Sequence, residues 1–119
     1  IKKIHKKLFM SKKDIAHLFK LGHTIGLHSH SHNYQFHKLG YNQELREYKK
    51  NKLLLENILQ SKINVASYPF GYQTANSTKI FQKIGIKFAF NKNFKKKSKN
   101  INKINFNMSR ENISNIINI

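Results

Sequence analysis

Apolar positions in this chain fall into short groups whose spacing changes from one group to the next. From Ser11, "SKKDIAHLFKLGH" sets Ile15, Leu18, Phe19 and Leu21 on one side of a helical period. Ser11 suits an N-cap, Asp14 suits the positive end of the helix dipole, and Gly22 suits a stop. "HTIGLHS", residues 23–29, reads as a short buried strand, with a polar loop from there to about Gly40. Asn42 to Gln60 is the longest predicted helix, with Leu45, Tyr48, Leu55, Ile58 and Leu59 near helical spacing and Glu44 on the face of Tyr48. "INVASYPF", Ile63 to Phe70, is a β-branched and aromatic run that stops at the only proline, as a strand does. Thr74 to Ile84 forms a further helix closed by Gly85. "IKFAF" and "INKINFNM" are two more strands, and "SRENISNIINI" opens a last helix with Ser109 as its cap.

Helices and strands alternating over short connections predict an α/β chain with a parallel sheet, open or as part of a barrel. No repeat divides the 119 residues, so residues 1–119 read as one domain with a modest core. No apolar run approaches the roughly 20 residues of a membrane helix. The chain holds no cysteine, so any metal must be held by nitrogen and oxygen ligands. The opening "IKKIHKKLF" lacks an initiator Met and the apolar core of a signal peptide, which leads us to expect an excerpt or a mature fragment and leaves the compartment open.

A formal charge of +18 invites a nucleic-acid reading. Two features weaken it. Lys, Asn, Ile and Phe are inflated together, as an AT-rich coding sequence would produce, while arginine appears only at Arg46 and Arg110. Arginine is the residue that makes bidentate phosphate and base contacts. The densest basic run, "NFKKKSKN" at residues 93–100, holds no aromatic interleaved among its lysines and reads as a solvated loop. No specific nucleic-acid partner is expected.

"GHTIGLHSHSH", residues 22–32, collects four of the seven histidines. Three geometries are open for His28, His30 and His32. On one straight strand all three share a face, but His28 and His32 would stand roughly 13 Å apart, too far to share an ion. If the strand ends near His28 and the chain turns, the i, i+4 pair can converge on a metal. A His28/His30 pair on a strand is the third. The bland alternative is a set of polar residues at a strand end with no ligand. A glycine-flanked cluster leaving a buried strand, where α/β folds place their sites, favours a metal.

"LGHTIGLHSHSH" resembles the second motif of the polysaccharide deacetylase family, the NodB-homology group of metal-dependent carbohydrate esterases. The resemblance puts Gly22, His23, Ile25 and Gly26 in the lead-in, His28 and His32 on the metal-ligand histidines, Ser29 on a loop-supporting position and His30 on a variable one. "ASYPFGYQTANS" resembles the family's third motif. It implies that Tyr68, Pro69 and Gly71 line the substrate groove and that the backbone N–H of Phe70 helps bind the developing oxyanion. Many members carry arginine where this chain has Ser67. The fold implied is a partial deformed (β/α) barrel of the polysaccharide deacetylase type, its middle and C-terminal portion.

The family's first motif, a strand ending in Thr-Phe-Asp-Asp-Gly that supplies the base and a third ligand, has no counterpart here. The five acids are Asp14, Glu44, Glu47, Glu56 and Glu111, and none is predicted on a strand end. The late Leu-x-His motif is also unseen after Arg110. Truncation explains both gaps more simply than degeneracy. The resemblance therefore implies a hydrolase of non-peptide carbon–nitrogen bonds, removing N-acyl groups from amino sugars in a bacterial glycan with a divalent metal, zinc for preference. The isolated chain is expected to be inactive. The alternatives are a carbohydrate-binding pseudoenzyme and, behind it, a basic nucleic-acid-binding domain.

Overall fold

The computed structural model describes residues 8–92 and 105–108. The predicted last helix and the lysine run therefore lie outside the described residues. Helix α1, Lys12–Lys20, starts from a reciprocal cap: Ser11 Oγ accepts the Asp14 N–H at 3.2 Å, and the Ser11 N–H donates to Asp14 Oδ2 at 2.7 Å. Helix α2, Tyr41–Leu59, buries Glu44, Tyr48, Leu55 and Leu59, a stripe at spacings that return to one face. Helix α3, Ala75–Lys83, repeats the cap chemistry with Thr74, whose Oγ1 accepts the N–H groups of Asn76 and Ser77. Local chemistry set all three helices, and their ends fall within two residues of expectation.

The strands are shorter than their sequence runs. Strands β1, Val65–Ser67, β2, Phe88–Phe90, and β3, Asn105–Met108, form one parallel sheet in the order β1-β2-β3. Residues 23–29 do not form the expected strand. They make a single parallel bridge, in which the Leu27 N–H donates to the Val65 carbonyl at 2.9 Å and the Ser67 N–H to the Leu27 carbonyl at 2.8 Å. The pairing stops because Ser29, whose amide would be the next to face β1, turns left-handed at φ 62°, while the His28 N–H, on the side away from β1, donates to Asn51 Oδ1 on α2. Gly26 allows the approach: a Cβ there would sit 3.2 Å from the Val65 carbonyl oxygen.

Alternation sorts the sheet's two faces. Ala66, Ala89 and Phe106 pack with Leu27, Tyr48, Ile80 and Phe81 in the core beneath the helices. Val65, Ser67, Phe88, Phe90 and Met108 turn the other way and, with Thr24 and Gly26, line an open cavity of about 470 Å³. A carboxyl group enters the core. Glu44, 0% exposed, accepts hydrogen bonds from Thr74 Oγ1 at 2.7 Å and Ser77 Oγ at 2.5 Å, so a buried carboxylate faces the positive end of α3. Among the described residues no helix is long and apolar enough to cross a membrane.

Candidate active site

Two segments meet at the C-terminal edge of the parallel sheet, where α/β folds gather their chemistry. They are the histidine loop after Leu27 and the turn after β1. The loop is held at several points. Ser29 is buried, and its Oγ accepts the His32 N–H at 3.1 Å. Glu47 Oε2 accepts the His30 N–H at 3.1 Å, the Ser31 N–H at 2.8 Å and the Ser31 hydroxyl at 2.9 Å. Partial burial pushes the Glu47 carboxyl up, but the hydrogen bonds from Ser31 and His30 outweigh it and hold it below the ordinary range. Glu47 and Asn51 stand four residues apart on one face of α2, so a single helix face carries the loop.

The turn brings His28 and His32 together: their ring centroids lie 5.0 Å apart, tilted 40°. Of the three geometries open to the sequence, this is the i, i+4 convergence. His28 Nδ1 lies 3.0 Å from the Ser67 carbonyl oxygen and 2.9 Å from Ser67 Oγ. A carbonyl only accepts, so that contact assigns the proton to Nδ1 and the lone pair to Nε2. Backbone-anchored imidazole of this kind is how a metal-ligating histidine is oriented. Ser67 thus acts on His28 directly.

The turn Pro69–Gly71 runs alongside. Phe70 sits in it with φ 55° and is 44% exposed, and its ring lies 4.5 Å from that of His32. The Gly71 N–H donates to the Tyr68 carbonyl and the Tyr72 N–H to the Pro69 carbonyl, both at 3.0 Å. Gly71 is required twice over, by its φ of 77° and because a Cβ would meet the Lys92 Cβ at 2.6 Å. Phe70, expected to supply a backbone N–H to the oxyanion, is exposed, and of the residues expected to line the groove only Gly71 is part-exposed. Tyr68 and Pro69 are buried, and the Tyr68 hydroxyl donates to the Phe106 carbonyl at 2.7 Å, so they support the turn from beneath.

His28 and His32 fit two positions of a metal's coordination shell and no more. Among the described residues no group of three His, Cys, Asp or Glu side chains could hold an ion. The four described acids have other tasks: Asp14 caps α1, Glu44 caps α3, Glu47 holds the loop, and Glu56 accepts from Lys52 and from the Ile63 N–H. The roles of Glu47, Asn51 and Ser67 were not foreseen from sequence. Their partners lie 16 to 39 residues away, and no local pattern marks them.

Residues 3–89 match the polysaccharide deacetylase family, and the chain belongs to it. Among solved structures it shares its fold with the deacetylase PplD of Streptococcus pyogenes in complex with acetate, at a TM-score of 0.73 and 18% identity over 86% of this chain and 45% of that one. IcaB from Ammonifex degensii matches at 0.63 and 22%, over 70% and 40% of the two chains. The BpsB deacetylase domain from Bordetella bronchiseptica matches at 0.69 and 12%, over 85% and 48%. The chain thus spans less than half the length of each of these structures. No curated protein matches it.

Proposed function

We propose that this chain carries part of the active site of a metal-dependent deacetylase, which hydrolyses the N-acyl group of amino sugars in a polysaccharide or glycan precursor. One observation carries the reading: the His28 and His32 rings converge 5.0 Å apart at the C-terminal edge of a parallel sheet, in a chain of this family. His28 and His32 would hold a divalent metal, zinc being suited to imidazole ligands, and such an ion when bound polarises a carbonyl and lowers the pKa of water. Ser67 and Asn51 orient His28 through its Nδ1 and its backbone N–H. The backbone N–H of Phe70, in the turn against His32, is the candidate donor to the developing oxyanion.

A third ligand and a general base are still required, and each described acid is committed elsewhere. Both functions therefore fall to carboxylates outside the described residues. A positioned base contributes about 10²–10⁴-fold, so the chain by itself should bind zinc weakly and release no measurable acetate. Joined to a segment ending in Thr-Phe-Asp-Asp-Gly, it should release acetate from N-acetylglucosamine oligomers and stop when a chelator is added. His28→Ala or His32→Ala should abolish that release and His30→Ala should largely spare it. A completed chain that binds zinc and glycan yet turns over no acylated sugar would instead be a carbohydrate-binding pseudoenzyme.

A further inference from the structure

Among the described residues, most of the large apolar side chains left in water belong to α1, α2 and the residues leading into α1, away from the histidines. Leu8, Phe9 and Met10 run up to the Ser11 cap and are 70%, 69% and 57% exposed. Two residues beyond Met10 begins a groove of about 350 Å³, lined by Lys12, Lys13 and Ala16 of α1 and by Leu54, Asn57 and Ile58 of α2. On α2, Lys49 and Lys50 stand one turn ahead of Leu53 and Leu54, and all four are exposed. The basic residues here meet no acid. Asp14 is tied back to Ser11, and among the described residues the ion pairs join Glu56 to Lys52 and Lys62 only.

We propose that this face, the α1–α2 groove with Leu8–Met10 at its head, docks on an anionic phospholipid bilayer. The lysines meet the headgroup phosphates, while Phe9 and its apolar neighbours enter the interface without spanning it. Charge complementarity selects this occupant, because cationic and apolar side chains exposed side by side are what a negatively charged membrane surface takes up. Lysine also carries its charge on an apolar stem that can lie along the acyl boundary. Nucleic acid would match the lysines and leave Leu8, Phe9, Met10 and Leu53 in water. A partner helix needs a groove with apolar anchors repeating over several turns, and this groove offers Ala16, Leu54 and Ile58 alone. The inference is independent of the deacetylase reading, since no residue of this face belongs to the histidine loop or to the turn beside it.

Flotation of the chain with equimolar phosphatidylglycerol–phosphatidylcholine vesicles, and with phosphatidylcholine vesicles alone, tests this at about 0.1 M salt. The chain should float with the anionic vesicles only. Lys12→Gln with Lys13→Gln should weaken that binding about tenfold, and Lys79→Gln with Lys87→Gln, the same charge removed elsewhere, should weaken it much less. Leu8→Ser, Phe9→Ser and Met10→Ser together should weaken it at least tenfold with no change of charge. All these side chains are exposed, so the urea midpoint should stay within the error of wild type. The chain holds no tryptophan, so Phe9→Trp supplies a single reporter, whose emission should shift to the blue with anionic vesicles and become harder to quench with acrylamide. Three results overturn the proposal: no flotation with anionic vesicles, equal losses from the two lysine pairs, or binding that survives the triple serine substitution with no shift in the Trp reporter. The last two would leave only the attraction of a basic chain for any polyanion.

Discussion

Glu47 accepts three hydrogen bonds on one oxygen from two consecutive loop residues, yet it touches neither candidate ligand. Its effect is on the backbone between them. Ser29 and His32 both adopt positive φ, at 62° and 49°, which costs roughly 1–3 kcal/mol apiece for residues other than glycine. The Glu47 carboxylate and the Ser29 hydroxyl hold that conformation from either side. Glu47→Ala should release the His30 and Ser31 amides to faster hydrogen exchange and weaken zinc binding about tenfold, as loss of supporting contacts does at metal sites. Unchanged exchange with unchanged zinc affinity would reduce Glu47 to a surface acid. The histidine pair was legible because its spacing is a local motif. Glu47 was not, since its partners are 16 and 17 residues away and an acid on a helix has many bland uses.

Capping explains why the helices could be read and the strands could not. Ser11 with Asp14, and Thr74 with Ser77, are contacts three residues apart, complete within any short window of sequence. The expected strand at 23–29 reduced to one bridge because Ser29 turns left-handed, and the loop it opens is held by Asn51 and Glu47, contacts across 16 to 23 residues. The burial of Glu44 depends on Thr74 and Ser77, 30 and 33 residues on, and looked in the sequence like an ordinary helix acid. At the join between α2 and β1, Glu56 Oε1 accepts the Ile63 N–H at 2.9 Å and Lys52 Nζ at 2.5 Å. Burial pushes the Glu56 carboxyl up, but Lys52, the Ile63 N–H and Lys62 together hold it below its ordinary 4.5. A depressed folded pKa contributes its stabilisation in full above the unfolded value and loses it as pH falls through the folded one. Glu56→Gln should therefore lower the urea midpoint at pH 7, by about 1 kcal/mol of stability, and the gap from wild type should narrow as pH falls below the ordinary 4.5. A gap that stays constant with pH would deny the carboxylate this part.

At the scale of the molecule, 23 basic residues face five acids. Of those acids the four described are engaged in caps, the loop and the α2–β1 join, so the positive excess has little local compensation. Counterion release then predicts weak attraction to any polyanion. Filter binding to duplex DNA should be independent of sequence and lost by about 200 mM salt, and sequence-selective binding that survives there would promote the nucleic-acid reading. The backbone distributes its strain differently from its charge. Of the four described non-glycine residues with positive φ, Ser29, His32 and Phe70 belong to the histidine loop and its neighbouring turn, and only Gln60, closing α2, lies elsewhere. Glycine would relieve all three positions. The three side chains there each meet the site: Ser29 accepts the His32 amide, His32 faces His28, and Phe70 lies against His32. The cost of the backbone is thus concentrated where the two histidines and the turn beside them are brought together.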